Sequence, residues 1–148
     1  MWWSKRKREI IVQVDSALSG RRAFTGLGVV VRDVEGRILD WVMERTQVLD
    51  NTSAEYAALI LGLQVARRWQ ADIVHVYSDS EVVVYQMDGR FAVRSQRLRQ
   101  WHEKACALAR QFRRVTYTHI SREYNRLADA LANEALMDGN PWSRKAYR

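Results

Sequence analysis

Three extended stretches rich in Val, Ile and Leu follow one another before any helical period begins, and this order restricts the fold more than any other feature of the chain. Glu9 to Asp15 and Thr25 to Asp33 are apolar runs, and Val34-Glu35-Gly36-Arg37 forms a turn before a third extended run, Ile38 to Arg45. β-Branched segments separated by short turns read as consecutive strands joined as hairpins. The period then changes. Ser53 can cap a helix whose apolar residues Leu59, Leu63 and Ala66 recur at i, i+4 and i+7, ending near Arg67-Arg68-Trp69. Ile73 to Asp79 is a short continuous apolar run, as a strand buried on both faces requires. Ser80 to Met87 reads as a brief helix closed by Asp88-Gly89. Arg97 to Phe112 reads as an amphipathic helix with Leu98, Trp101, Ala105, Leu108 and Phe112 inward. Val115 to Ile120 is a further strand, and Asn125 to Met137 a last helix stopped by Gly139-Asn140-Pro141. Crossover helices after hairpins require a parallel portion of sheet. The expectation is therefore an α/β domain with a five-stranded mixed β-sheet, three antiparallel strands then two parallel, flanked by about four helices.

The 148 residues suit one hydrophobic core. Residues 9–138 are assigned to that domain, with a basic, aromatic N-terminal tail at 1–8 and a C-terminal tail at 139–148. Lys and Arg number 24 against 17 Asp and Glu, and the resulting net charge of +7 favours a polyanionic partner through counterion release. No apolar run approaches the ~20 residues needed to span a bilayer, so no membrane partner is expected. The Met1–Arg8 segment has its charges after its aromatics, unlike a secretory signal. The single cysteine, Cys106, excludes an internal disulfide and a Cys-based zinc site and points to a reducing, cytoplasmic setting. Its small-residue neighbours suggest inert packing, as do the periodic positions of Trp41, Trp69 and Trp101. His75 reads as a hydrogen-bonded strand residue and His102 as a surface helix residue.

Four acids sit at the edges of these apolar segments: Asp15 ending the first strand, Glu55 in the first turn of the first helix, Asp79 ending the fourth strand and Asp129 early in the last helix. Carboxylates held against a core are unfavourable unless paired or bound to a cation. Ligands of open α/β sheets gather at the carboxyl ends of parallel strands, so all four acids are expected at one edge of the sheet. Oxygen donors collected from distant segments suit hard divalent cations, which can also take phosphate oxygens as ligands. A metal-dependent phosphodiesterase follows from this pattern. As capping or solvated residues the same acids would need no common location.

The words around these acids resemble type 1 ribonuclease H, in its compact form without a basic protrusion, over roughly Glu9 to Leu136. They are Asp15-Ser-Ala-Leu-Ser-Gly20 followed by Gly26-Leu-Gly28, Asn51-Thr-Ser-Ala-Glu55-Tyr56, Ser78-Asp79-Ser80, and Arg122-Glu-Tyr-Asn125-Arg-Leu-Ala-Asp129-Ala-Leu-Ala132. The resemblance implies a ribonuclease H-like fold and hydrolysis of the RNA strand of RNA/DNA hybrids by two Mg2+ (or Mn2+) ions, leaving 5′-phosphate and 3′-hydroxyl ends. Asp15 would bridge the ions, with Glu55 and Asp79 completing one site and Asp129 the other. Arg122 would act electrostatically, since a guanidinium is no base at neutral pH, and a metal mechanism needs no base from His119. Ser16, Gly20, Arg21, Asn51, Thr52, Ser80 and Asn125 would contact the nucleic acid, RNA/DNA hybrid or also double-stranded RNA, and the enzyme would act as a monomer.

Several residues depart from the family pattern. Ser16 replaces a usual Gly, Arg21-Arg22-Ala23 replaces Asn-Pro-Gly, Thr52 replaces a second Asn, and Asp50 falls where a phosphate-binding Thr is common. The short connection after Asp88 leaves no room for a basic helical protrusion; Arg90, Arg94, Arg97 and Arg99 either substitute for it or are a solvated helix start. Two rival functions share the fold: a non-catalytic nucleic-acid-binding module, and a transposase- or integrase-like phosphodiester transferase. The complete set of mutually repelling acids argues against a mere binder, and the short chain leaves no room for the extra DNA-binding domains of a transferase.

Overall fold

The computed structural model describes residues 7–19, 24–47 and 49–137. Most of the N-terminal tail, the expected stop at Gly139-Asn140-Pro141, the tail that follows, and Gly20 and Arg21 lie outside them. Strands β1 (Glu9–Leu18), β2 (Phe24–Asp33) and β3 (Ile38–Gln47) form an antiparallel meander. Strands β4 (Ile73–Ser78) and β5 (Arg114–His119) add in parallel beside β1, giving the sheet order β3-β2-β1-β4-β5. The helices are α1 (Asn51–Arg68), α2 (Glu81–Met87), α3 (Gln96–Ala109) and α4 (Arg126–Glu134), with a 3-10 turn at Arg122–Tyr124. This is the mixed sheet and helix complement that the sequence predicts. Among the described residues no helix is long and apolar enough to cross a membrane.

β1 is bonded on both edges and covered on both faces, which explains its unbroken apolar character. Val12 and Val14 face α1, whose Gly62 lets the helix backbone settle onto both side chains. The opposite face carries α4. There the small residues recur in register: Ala128 and Ala132 are buried, and a Cβ on Gly28 or Gly26 of β2 would fall inside the carbonyl oxygens of Ala128 and Ala132. The Gly-x-Gly of the second strand and the Ala-x-x-x-Ala of the last helix are thus two halves of one close backbone approach. Gly28→Ala is expected to destabilise the protein by about 1–3 kcal/mol through overpacking, measurable by urea unfolding. Gly28 also opposes Asp15 in the ladder, so the same outward shift of α4 should carry Asp129 away from Asp15.

Element ends differ from expectation in ways the tertiary structure explains. β1 does not end at Asp15, because its ladder with β2 continues to Leu18↔Thr25. β4 ends at Ser78, leaving Asp79 just past the strand. The cap of α1 is Asp50, not Ser53: its carboxylate accepts from the Ser53 N–H and the Ser53 hydroxyl, both at 2.9 Å. Glu55 therefore lies one residue past the first turn. α3 stops at Ala109, short of Phe112, and the Asp72 carbonyl accepts from Arg113 and Arg114 N–H as the chain turns into β5. α4 ends at Glu134, and residues to Met137 continue as tighter i→i+3 turns.

Several of the side chains set aside for packing, Trp69 among them, behave so. Leu98, Trp101, Ala105, Leu108 and Phe112 pack on the core, and His75 is held between Thr116 and Glu9 on the sheet. Cys106 lies beside His102, and burial raises its thiol pKa.

Candidate active site

Asp15, Glu55 and Asp79 each offer a carboxylate oxygen, and the three atoms lie within 4.8 Å of one another. Three separate elements deliver them: β1 beyond the end of its partner β4, the second turn of α1, and the residue after β4. Asp129, in the first turn of α4, is outside this tight trio but lines the same cleft of about 470 Å³, together with Ser16, Asn51, Ser80, Arg122 and Asn133. The four acids expected at one sheet edge do share that edge, three in close contact and the fourth across the opening.

The electrostatics are those of a cation site. Burial, then the charges of Glu55 and Asp79, push the Asp15 pKa up to about 8. Burial likewise raises Glu55 to about 7, against the lowering effect of the Ser16 hydroxyl. Asp79 is raised by burial, with Arg122 opposing and Asp129 adding to the rise. Glu55 Oε2 and Asp79 Oδ2 are buried without a hydrogen-bond partner. Orphaned acceptors on mutually repelling carboxylates leave room for a positive ligand, and an all-oxygen donor set fits Mg2+ or Mn2+.

Ser16 departs from the family's glycine and has work to do. Its hydroxyl donates to Glu55 Oε1 at 2.5 Å and its N–H donates to Asp15 Oδ1 at 2.9 Å, so it orients two of the three acids. Asn125 is fully buried, which rules out the substrate contact expected of it. Its amide instead donates to the Val14 carbonyl at 2.9 Å, tying the start of α4 to the residue before Asp15, and its nearby side chain tempers the rise of the Asp79 pKa. Asn51 and Ser80 stand on the cleft wall, whereas Thr52 does not. Ser80 is also the cap of α2, accepting from Val83 N–H at 3.4 Å.

Asp50 poses no conflict at its unusual position, because the start of α1 and Arg97 (2.9 Å) use its charge, holding its carboxyl below the usual range. Of the other arginines in the short connection, Arg90 pairs with Asp88 and lies over Tyr85, and Arg99 donates to the Val93 carbonyl. Sequence reasoning missed Asn133, which donates to Asp129 Oδ1 at 3.2 Å from one turn farther along α4. The i+4 spacing was the available signal.

A family model described as reverse transcriptase-like matches residues 13–135. The bifunctional protein Rv2228c of Mycobacterium tuberculosis is 34% identical over 86% of this chain, and ribonuclease HI of Halobacterium salinarum is 33% identical over 84%. The chain spans 35% and 62% of the length of these two relatives. Among solved structures, the N-terminal ribonuclease H domain of Rv2228c aligns with a TM-score of 0.82 at 34% identity, covering 88% of this chain and 94% of that one. The Halobacterium salinarum ribonuclease H1 structure gives 0.82 at 31%, covering 86% and 97%. LC11 ribonuclease H1, solved in complex with an RNA/DNA hybrid, gives 0.78 at 31%, covering 84% and 94%. With the fold, the order of the acids and these matches in agreement along most of its length, the chain belongs to the type 1 ribonuclease H family.

Proposed function

We propose that this protein is an endonuclease that hydrolyses the RNA strand of RNA/DNA hybrids with divalent metal ions, leaving 5′-phosphate and 3′-hydroxyl ends, as a monomer in the cytoplasm. The observation that carries the proposal is the packing of Asp15, Glu55 and Asp79 within 4.8 Å with two buried carboxylate oxygens unpartnered. These three, with Asp129 facing them, would hold two Mg2+ or Mn2+ ions. Bound there, such ions supply an activated water and stabilise the leaving oxygen.

The chain's own residues do the rest. Ser16 fixes the rotamers of Asp15 and Glu55, and Asn125 fixes the approach of α4, so the donor atoms are preorganised. Arg122 brings a permanent positive charge to the cleft wall, where it attracts the scissile phosphate without exchanging a proton. Asn51 and Ser80, on the cleft wall, would hydrogen-bond the backbone of the nucleic acid. The 2′-hydroxyl is what distinguishes the RNA strand to such groups.

A cleavage assay comparing RNA/DNA hybrid, double-stranded RNA and a DNA duplex bearing one ribonucleotide, each with Mg2+ and with Mn2+, tests the reading. Hybrid cleavage that vanishes with chelator is the expected outcome. Cutting of plain duplex DNA, or no cleavage of hybrid with either metal, would overturn it.

A further inference from the structure

The opposite end of the sheet from the carboxylates carries a concentration of positive charge that the active site does not use. Three segments are stitched together there at Asp72. Its N–H donates to the Arg8 carbonyl (2.8 Å), its carboxylate accepts the Arg8 N–H (2.7 Å), and its carbonyl accepts from Arg113 (2.9 Å) and Arg114 (3.3 Å). Arg8 Nη1 in turn donates to the Trp69 carbonyl at 2.6 Å, at the end of α1. The start of β1, the end of α1 and the start of β5 thus bring Arg8, Arg67, Arg113 and Arg114 to one end of the sheet, and Arg110 at the end of α3 lines the same cleft as Arg113 and Arg114. All five are exposed, and none forms an ion pair among the described residues.

Helix dipoles account for Arg67 and Arg110, since cations are favoured at helix C-termini. They do not account for Arg8, Arg113 and Arg114, which begin strands. Self-repulsion among clustered guanidiniums is unfavourable, and the acid at the centre, Asp72, already serves the backbone. A polyanion would relieve that repulsion. The six residues of β4 put this surface roughly 20 Å from the acid cluster, at the far end of the strand direction. A duplex crossing the strands over the carboxylates would leave it free.

We propose that this basic end is a second, non-catalytic surface that binds the phosphodiester backbone of duplex DNA. It would hold the protein near DNA through counterion release without reading sequence. This goes beyond the nuclease reading and does not depend on it.

The test uses the full chain with Arg67→Gln, Arg113→Gln and Arg114→Gln combined, exposed positions whose neutralisation should leave folding intact. Binding to a duplex of three helical turns is measured by fluorescence anisotropy against salt, alongside cleavage of a one-turn hybrid. The expected result is at least about tenfold weaker DNA binding at low salt and a log–log salt slope shallower by about 3, with kcat and KM on the short hybrid unchanged. Unchanged DNA binding would overturn the proposal. So would a KM on the short hybrid that rises in parallel. The anisotropy arm reads out even if the protein cleaves no hybrid, so its failure is separable from failure of the nuclease reading.

Discussion

Asp79→Asn is expected to lower kcat on RNA/DNA hybrid by at least about 10³-fold while the protein still folds and still binds hybrid. The substitution keeps the shape of the side chain and removes the charge that, with Asp15 and Glu55, creates the demand for a cation. Burial is what makes the effect large: Asp79 Oδ2 has no hydrogen-bond partner, and Arg122 offsets the penalty of burying its charge only in part. Hybrid affinity should hold or rise slightly, because one negative charge facing the phosphate is gone. Single-turnover cleavage with saturating Mg2+, read beside binding in the presence of chelator, separates the two effects. A variant retaining a tenth of wild-type kcat would mean that the carboxylates stabilise the fold and not the chemistry.

The legibility of this site in the sequence has a physical basis. A strand buried on both faces must be apolar throughout, so a carboxylate near the end of such a strand, as at Asp15 or Asp79, stands out from its surroundings. The small-residue words were equally readable once their purpose is seen: Gly26, Gly28, Ala128 and Ala132 sit where backbone meets backbone, and any larger residue would separate α4 from the sheet. The α1 cap was misplaced because Asp50 and Ser53 are both good capping residues, and which of them accepts the N–H depends on where β3 releases the chain. Asn125 was misassigned for a similar reason. A polar residue in a motif reads as a ligand contact, yet an amide can serve by bonding the Val14 carbonyl across 111 residues of sequence, a partner no local pattern announces. The same holds for the Asp50–Arg97 pair between two helix starts and for Ser16 on Glu55.

Metal-free protein is expected to lose stability as pH rises from 5 to 8, and divalent metal is expected to restore it. Asp15 titrates near 3.8 when unfolded and about 8 when folded, and Glu55 near 4.5 and about 7. Across that interval the folded state binds more protons than the unfolded one, so the derivative of unfolding free energy with pH is negative. The stabilising contribution is complete below about pH 4 and lost as pH climbs through the folded values. Asp33 and Asp50, whose pKa values are lowered on folding, act oppositely: their contribution is lost only as pH falls below the ordinary carboxylate range, outside this window. A loss on the order of 2–4 kcal/mol corresponds to roughly 10 °C in Tm for a chain of this size. Asp15→Asn removes the most strongly shifted group, so at pH 8 without metal the variant should melt higher than wild type, and Mg2+ should raise its Tm far less. Because metal binding must displace the protons that Asp15 and Glu55 hold, calorimetry at pH 7 in buffers of different ionisation enthalpy should show proton release on Mg2+ addition. A flat metal-free Tm between pH 5 and 8, or an Asp15→Asn variant less stable than wild type at pH 8, would show that these carboxylates are not held together under mutual repulsion.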